Sequence, residues 1–336
     1  MFHFFKYIRR FLHLIATVKQ KPWKKWALTN LLALTLVITP YSVATAKPKN
    51  TGELAYQQVT YLSENIGSRV AGTASEKTAS QYLQTQLKRL GLKTSIQNFT
   101  YTQKGTTYHS QNVVATKPGK SKKELIIGAH YDSVSVGNGA DDNGSSIGVV
   151  LETLHALAIK KTPYTIKVIF FGAEEIGLQG SKYYVSKMTE AQKKNTVAMI
   201  NLDSLLAGDY MYVYGNNGKQ GKLRDLALEI AKKRKIAMST NPGLNPDYPA
   251  GTTGDWSDHA PFKAAGIPYA YFEATNWEIG DLDGYTQTVK HGAIWHTAND
   301  NLTFLEREFP GRVKEHLKGF TIVLTELVEK ADKALR

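Results

Sequence analysis

Imidazole and carboxylate side chains recur in this sequence where apolar runs stop, and such groups bind transition metals and transfer protons. Taken singly, each has an ordinary explanation, because a lone histidine or aspartate after a strand is usually a hydrogen-bonded turn or a helix cap. Together they need another explanation, since burying several carboxylates near one another is prohibitive unless cations neutralise them. The residues concerned are His130, Asp132, Asp142, Glu174, Glu175, Asp203 and His296.

The available ligand types restrict which metals such a site could hold. Two histidines with several carboxylates and no thiolate suit zinc, cobalt or manganese. The chain has no cysteine among its 336 residues, which also excludes disulfides, thiolate catalysis and cysteine zinc sites. Asp132 lies two residues after His130 and shares its strand face if the strand continues. It could then accept the imidazole N–H and fix the tautomer of that histidine.

These side chains need a scaffold that brings them together, and residues 124–175 supply its centre. The stretch has the pattern of an apolar strand, a glycine-rich loop, an apolar helix and a second apolar strand. Helices and strands alternate along the chain, which is typical of an α/β domain. Ligands of such domains bind in the crevice outside the carboxyl ends of the strands. The sequence therefore predicts an α/β fold with its site at that edge of the sheet.

Periodicity and turn residues predict the other elements. We expect helices near residues 53–66, 75–90, 145–157, 179–188, 222–233 and 313–331. We expect further strands at residues 93–102, 111–116, 197–202, 211–214 and 269–272. Residues 241–258 and 277–295 are expected to be irregular.

The first 46 residues have the composition of an export signal. They contain seven lysines and arginines and no acidic residue, with an apolar run at residues 26–38 and the small-residue sequence Ala44-Thr45-Ala46. This order is typical of a secretory signal cleaved after Ala46. The alternative is an uncleaved membrane anchor, because residues 26–46 could just span a bilayer. We expect an exported protein whose single domain is residues 47–336, a length that suffices for one large core.

The charge balance gives no reason to expect a nucleic-acid partner. The whole chain carries a net charge of +13, which falls to +6 without the seven basic residues of the leader. No basic run with interleaved aromatic residues follows the leader, so nucleic-acid binding is disfavoured. The lysine-rich residues 117–123 contain a Pro-Gly pair and are expected to form a solvated turn. We expect no membrane partner beyond the export signal.

Five short motifs, in the right order, resemble those of the co-catalytic zinc aminopeptidase family. The resemblance covers nearly all of residues 50–336, and it implies a three-layer α/β/α sandwich around a central mixed, mostly parallel sheet. The motifs are His130-Tyr-Asp132, Asp142-Asn-Gly-Ser, Glu174-Glu175, Asn-Leu-Asp203-Ser and Trp-His296-Thr.

The C-terminal half is similar to one exported member of that family, an exopeptidase that trims an N-terminal arginine. The similarity implies that a free N-terminal arginine or lysine is favoured. It is carried by Ser257-Asp-His-Ala-Pro-Phe-Lys-Ala-Ala-Gly-Ile-Pro268, Glu273-Ala-Thr-Asn-Trp277, Asp283-Gly-Tyr285 and Phe309-Pro-Gly-Arg312.

The family resemblance implies a centre with two divalent metal ions, most simply two zinc ions. Asp142 would bridge them. His130 and Asp203 would complete the coordination of one ion, and Glu175 and His296 that of the other. Such ions lie about 3.5–4 Å apart and share a water molecule whose pKa falls toward 7. One ion would polarise the scissile carbonyl, and the free α-amine of the substrate would be anchored at the other. Peptides and proteins with free N-termini would therefore lose one residue at a time.

The same resemblance assigns the proton transfer to Glu174. It would act as the base for the attacking water and then as the acid for the leaving amine. Asp132 would support this chemistry through His130. Asp141, the neighbour of the bridging aspartate, is expected to make no more than a loop or cap interaction of about 1 kcal/mol.

Four further residues are expected to contact substrate. Relatives place a tyrosine beside the carbonyl oxygen, in some of them just before the last histidine, where this chain has Trp295; Tyr285 could supply the phenol instead. The pair Asp258 and His259 is expected to support the site or to face the substrate. Glu273 is the first choice for pairing with a basic side chain, because an unpaired buried charge is costly. An equally good interpretation is that it holds the following loop or the substrate amine.

Two other functions remain open at this point. Glutaminyl cyclases share the fold but bind one zinc ion, and the presence of both His130 and Asp142 argues against that activity. A non-catalytic relative would have lost ligands or the base, and none is lost in this sequence. The number of metal ions per chain separates the three functions, since the peptidase needs two ions, a cyclase one and a receptor none.

Overall fold

A computed structural model describes residues 50–335, apart from the side chains of residues 219 and 220. The predicted export signal at residues 1–46 lies outside the described part of the chain. Among the described residues, we find no helix with the length and apolar character needed to cross a membrane.

An eight-stranded mixed sheet forms the centre of the molecule. Its strands, in chain order, are β1 (Lys93–Gln103), β2 (Thr106–Lys117), β3 (Ser121–His130), β4 (Tyr164–Phe171), β5 (Thr196–Leu202), β6 (Tyr210–Gly215), β7 (Met238–Ser239) and β8 (Tyr269–Thr275). They are arranged β1-β2-β4-β3-β5-β8-β6-β7. The central neighbours β4, β3, β5 and β8 are parallel, whereas β1, β2 and β6 pair antiparallel to their neighbours on the inner side. The predicted mixed, mostly parallel sheet is confirmed.

Helices cover both faces of this sheet. They are α1 (Glu53–Thr60), α2 (Ala74–Arg89), α3 (Ser146–Ala156), α4 (Gln179–Lys187), α5 (Glu190–Asn195), α6 (Lys222–Arg234), α7 (His259–Ala264), α8 (Leu302–Glu308) and α9 (Arg312–Leu335). Buried apolar side chains of α1, α2, α3, α6 and α9 form one core with the sheet. A smaller core on the opposite face joins the sheet to α4 and α7. The predicted three-layer sandwich is therefore confirmed.

The central strands are mostly apolar where both of their faces are covered. In β3 the last six residues, 125–130, are all buried, which is the pattern of a parallel strand between two helical layers. Helix α2 begins at Thr73, whose side chain accepts the backbone N–H of Glu76, and it stops before Gly91 at φ 74°, a conformation that favours glycine.

The structure departs from the prediction mainly in short elements. Strands β1 and β2 are longer than expected and are joined by a hairpin at residues 104–105. The helix expected over residues 53–66 is α-helical only to Thr60 and continues as a wider turn to Ile66. The short elements α5, α7, α8 and β7 were not predicted, because each has only two to seven residues and shows no periodicity.

Candidate active site

Three parallel strands deliver polar residues to one edge of the sheet. His130 is the last residue of β3, Glu174 follows the end of β4 by three residues, and Asp203 directly follows β5. Since β4, β3 and β5 are neighbours, their carboxyl ends meet. The loop before α3 brings Asp142 to the same place, and a turn before α8 brings His296.

The carboxylate of Asp142 lies between two imidazoles. Its Oδ1 is 3.1 Å from Nε2 of His130, and its Oδ2 is 3.2 Å from Nε2 of His296. Each imidazole nitrogen also faces a second carboxylate. His130 Nε2 is 3.3 Å from Oδ1 of Asp203, and His296 Nε2 is 2.8 Å from Oε2 of Glu175. The five predicted ligands thus converge on one small volume.

The arrangement fits divalent metal ions. Two triads of residues could each hold an ion, because within each triad one ligand atom per residue lies within 4.8 Å of the other two. One triad is His130, Glu174 and Asp203, and the other is His130, Asp142 and Glu175. Among the described residues, Oε1 of Glu175 is buried without a hydrogen-bond partner. Imidazole and carboxylate donors without thiolate suit zinc. Neither triad contains His296. Its Nε2 is nevertheless as close to Asp142 and Glu175 as the Nε2 of His130 is to Asp142 and Asp203.

Neighbouring carboxylates raise the pKa of both histidines of the site. Burial alone would lower the pKa of His130, but Asp203, Glu174, Asp132 and Asp142 hold it well above the usual value. Hydrogen bonds to Asp142 and Glu175 raise the pKa of His296 to about 11. The neighbouring carboxylates thus favour the positively charged form of both imidazoles.

The carboxyl of Glu174 is buried among the other acidic residues of the site. Burial raises the pKa of its carboxyl well above the usual range, and Asp258, Asp203 and Glu175 raise it further, against the opposing effect of His130. Its position within one of the two triads means that distance alone does not distinguish it from a ligand. The assignment of Glu174 to proton transfer comes from the motif.

Asp132 holds the loop that carries the two glutamates. Its carboxylate accepts the backbone N–H groups of Glu174 at 3.1 Å and Glu175 at 3.2 Å. Strand β3 ends at His130, so Asp132 does not share its strand face as predicted. Nδ1 of His130 lies 3.1 Å from the backbone oxygen of Asp132 and 3.5 Å from its carboxylate. Asp132 therefore orients both the histidine and the glutamate pair.

The whole loop at residues 172–175 is fixed by side-chain oxygens from other elements. The N–H group of residue 172 donates to Asn112 and that of residue 173 donates to Glu76, both at 3.2 Å. The N–H groups of residues 174 and 175 donate to Asp132. Glu76 also accepts from Ser110 and from the backbone of Gly72. Burial raises its pKa to about 7. Sequence reasoning did not find Glu76 or Asn112, since their partners are remote in the chain.

The expected minor role of Asp141 is wrong. Its carboxylate is fully buried, and its Oδ1 accepts the N–H groups of residues 206 and 207 at 2.6 and 3.1 Å. The N–H groups of residues 204 and 205 donate to Asn143 and Ser145. Residues 204–207, which follow Asp203, are therefore held by the loop that carries Asp142. Asp141 is a hub of buried hydrogen bonds and not a simple cap.

Two further buried groups fix the loop that carries Asp142, and the sequence analysis named neither. The carboxylate of Asp300 accepts the N–H groups of Asp141 at 2.7 Å and Asp142 at 3.2 Å. The guanidinium of Arg69, fully buried, donates to the carbonyls of residues 138 and 139 at 2.9 and 2.8 Å and to that of Tyr131 at 2.7 Å. Asp300 lies four residues after His296, which is the only signal the sequence offers for it.

A cavity of about 580 Å³ opens beside these residues. Its other wall is largely aromatic and acidic. That wall includes Tyr248, Asp255, Trp256, Tyr271, Glu273, Asp283, Tyr285 and Trp295.

Two of the residues predicted to contact substrate line this cavity. Glu273 lies inside β8, because this strand continues to Thr275 and not only to residue 272 as predicted. Its two oxygens accept from Tyr214 Oη at 2.8 Å and Tyr271 Oη at 3.1 Å, and burial raises its pKa to about 8. Tyr285 is 61% exposed and packs edge-on against Trp295.

The other two, Asp258 and His259, are not substrate-facing. Within the described part of the chain, both are fully buried and neither lines the cavity. The ring of His259 lies between Tyr269 and Tyr271, and its Nε2 is 3.1 Å from the carbonyl of Gly254. Burial lowers its pKa to about 3. Burial raises the pKa of Asp258 to about 7.

Comparison with known sequences supports one family. The profile described as peptidase family M28 matches residues 112–321. The alkaline phosphatase isozyme conversion protein of Escherichia coli (strain K12) is 33% identical over 332 residues, which cover 88% of this chain and 94% of that protein. It is the family member to which the C-terminal motifs were similar, so that resemblance is confirmed. An aminopeptidase of Bacillus subtilis (strain 168) is 31% identical over 235 residues, covering 68% of this chain and 47% of that protein.

Solved structures share the fold. A zinc aminopeptidase from Bacillus subtilis superposes with a TM-score of 0.68 at 21% identity, covering 85% of this chain and 97% of that one. A glutaminyl cyclase from Porphyromonas gingivalis superposes with a TM-score of 0.64 at 23% identity, covering 84% of this chain and 99% of that one. At these identities the superpositions establish the architecture, and the residues must decide the chemistry.

Proposed function

This chain belongs to peptidase family M28 and is a metallo-aminopeptidase, and we propose that it is an exported two-metal enzyme that favours basic N-terminal residues. The observation that carries the two-metal proposal is the carboxylate of Asp142, which presents one oxygen to each of two histidines. His130 and Asp203 would hold one ion and Glu175 and His296 the other, with Asp142 shared. When bound, such ions supply Lewis acidity and lower the pKa of water.

The residues of the chain provide the proton path. Glu174 takes a proton from the attacking water and returns it to the amine that leaves, so one carboxyl serves as base and then as acid. A buried carboxyl with a raised pKa is suited to this, because the proton it gains is stable enough to be carried to the leaving group. Asp132 keeps the carboxyl aimed by holding its backbone.

Donors on the cavity wall would stabilise the developing charge on the scissile carbonyl. Tyr285 is our proposed donor, since it lines the cavity and its ring packs against Trp295, next to His296. Trp295 is the competing donor, because its Nε1 is buried and has no hydrogen-bond partner among the described residues. Tyr285→Phe and Trp295→Phe distinguish them, since loss of the true donor should lower kcat more than it raises KM.

The proposed preference for arginine or lysine rests on the acidic and aromatic wall. Of its three carboxylates, Asp255 is already paired with Lys263 at 2.7 Å. Glu273 remains our first choice as the partner of the substrate's cationic side chain, although its two oxygens already accept hydrogen bonds from two tyrosine hydroxyls. Asp283 is the alternative, since it lines the cavity and accepts only the backbone N–H of Tyr285 among the hydrogen bonds described.

Glu273→Gln should lower kcat/KM more for an arginine substrate than for a leucine one. The difference between the two losses should correspond to about 2–5 kcal/mol of transition-state free energy. Asp283→Asn is the matched variant. An equal loss for both substrates in Glu273→Gln would mean that this carboxylate serves the scaffold or the amine. If leucine is the better substrate of the wild-type enzyme, the basic preference is wrong and the two-metal site is unaffected.

A panel of aminoacyl-p-nitroanilides tests the central proposal. After removal of metal and reconstitution with zinc, free substrates should be turned over and their N-acetylated counterparts should not. Metal analysis should give two zinc ions per chain. Equal turnover of blocked and free substrates would contradict the exopeptidase function.

The alternative activity, cyclisation of an N-terminal glutamine, is kept because a glutaminyl cyclase shares the fold. One zinc ion per chain with formation of pyroglutamate from a glutaminyl peptide would favour it. Export is a separate proposal, and N-terminal sequencing of the mature protein tests it. A protein that begins at Lys47 supports cleavage, and one that retains residues 1–46 supports the anchor.

A further inference from the structure

Gln287 is a buried residue that joins two of the loops at the candidate metal centre. Its side chain is inaccessible to solvent, and each end of the amide is engaged. Nε2 donates to Oδ2 of Asp141 at 2.7 Å. Oε1 accepts the backbone N–H of Ile294 at 2.7 Å and that of Trp295 at 2.9 Å.

The residues at the two ends of this bridge precede metal ligands. Asp141 is the neighbour of Asp142, the aspartate shared by the two proposed ions, and Trp295 is the neighbour of His296. Gln287 therefore sets the distance between a loop near residue 141 and a turn near residue 295. In sequence the two loops are more than 140 residues apart.

The two proposed metal positions depend on this bridge to different degrees. His130 ends a central strand and Asp203 follows one, so the sheet holds them. His296 lies in a turn with φ 57°, and its side chain is half exposed. Asp141 keeps its bonds to residues 206 and 207 if Gln287 is lost. The turn before His296 loses the one acceptor, Oε1 of Gln287, that two of its N–H groups share.

We propose that Gln287 is a positioning residue that sets the affinity of the ion held by His296, Glu175 and Asp142, and leaves the ion held by His130 and Asp203 unaffected. This inference rests on the two-metal function proposed above. The amide is needed because it donates at one end and accepts at the other. Glutamate would keep the acceptor for the turn but would place a carboxylate against Asp141. Methionine would fill the space and keep neither bond.

Zinc titration of the metal-depleted full chain, in competition with a chromophoric chelator, tests the proposal. Gln287→Met should weaken one of the two binding steps by about 10–100-fold and leave the other unchanged, as for other residues that orient metal ligands. Gln287→Glu should weaken the same step. Because all ligands remain, excess zinc should restore turnover of Gln287→Met. Gln58→Met is the control, since Gln58 is a buried glutamine that binds Tyr82 Oη at 2.7 Å in another part of the fold.

The outcomes separate this inference from the proposed function. Two binding steps in the wild type with one step weakened in both variants support the role of Gln287. Equal weakening of both steps, or of neither, overturns it and leaves the two-metal function intact. A wild type that binds a single zinc ion refutes the two-metal function itself. Urea unfolding of the metal-depleted chain shows whether Gln287→Met folds. If it does not fold, the binding steps of Gln287→Glu decide.

Discussion

His130 and His296 face the same aspartate from opposite sides, and the protein holds them in opposite ways. His130 is 1% exposed and ends a central strand, whereas the side chain of His296 is 50% exposed and lies in a turn. Both imidazoles have a pKa raised by neighbouring carboxylates. A ligand at a strand end is positioned by the sheet. A ligand in a turn must be positioned by hydrogen bonds from elsewhere, which here come through Gln287.

The largest effect is expected on the His130 side, from Glu174→Gln. The change keeps the shape of the side chain and removes its ability to carry a proton. Turnover should fall by about 10²–10⁴-fold, while metal analysis still finds both ions. Glu175→Gln is the paired control and should lose metal on the His296 side. The reverse pattern, with metal lost from Glu174→Gln alone, would exchange the roles of the two glutamates.

The next prediction compares the two histidines directly in metal-depleted protein. His130→Ala leaves Asp142 and Asp203 buried without their cationic partner, so unfolding free energy should fall by about 3–5 kcal/mol. His296→Ala removes a half-exposed side chain but leaves Oε2 of the buried Glu175 side chain without its partner, so it should cost less, about 1–3 kcal/mol. Urea unfolding at neutral pH measures both. Equal losses would mean that burial does not distinguish the two sides of the centre.

Asp141→Ala should destabilise the protein by about 1–3 kcal/mol, since it leaves buried N–H groups at residues 206 and 207 and the amide of Gln287 unsatisfied. Asp142→Ala should instead abolish two-metal binding. Denaturant unfolding and metal analysis of the pair check this. A loss for Asp141→Ala well below 1 kcal/mol would restore the original view of this residue as a cap.

The smallest effect concerns His316, which is as buried as His130 but lacks its carboxylates. Burial and Arg312 lower its pKa to about 4, against the opposing effects of hydrogen bonds with the backbone of residues 205 and 206 and of Asp209. A depressed folded-state pKa means that its stabilising contribution is present above pH ~6.5 and is lost as pH falls toward 4. Relative to His316→Gln, the wild type should lose about 1 kcal/mol between pH 7.5 and 5.5. A constant difference between the two proteins across this range would show that His316 keeps an ordinary pKa.

The same contrast explains what the sequence could predict. His130 and Asp203 follow mostly apolar runs, and parallel strands bring such ends together. The fold class and the strand-end half of the site follow from these local patterns. Asp142 and His296 lie in loops, where no periodicity places them, and only the resemblance to a family assigned them a role.

The supporting groups could not be predicted, because their hydrogen-bond partners are far away in the chain. Asp300 and Gln287 both bind residue 141, which lies 159 and 146 positions before them. Glu76 binds residue 173, which lies 97 positions after it. Nothing in the local sequence around Gln287 distinguishes it from a surface glutamine. Of the two roles expected for Asp258 and His259, facing the substrate does not fit, because both side chains are buried and neither lines the cavity, whereas support of the site stays a prediction.

The order of these residues along the chain also governs when the enzyme can first act. His130 opens the ligand set, but the turn with His296 and the carboxylate of Asp300 lie within the last 41 residues. During synthesis, which proceeds from the N-terminus, an incomplete chain has the first ligands and lacks the residues that close the centre. The last helix, α9, contributes buried side chains to the main core and is made later still. Cutting activity therefore arises only after residue 300 has been made, so the free N-termini of other chains still in synthesis are not exposed to a partly made peptidase.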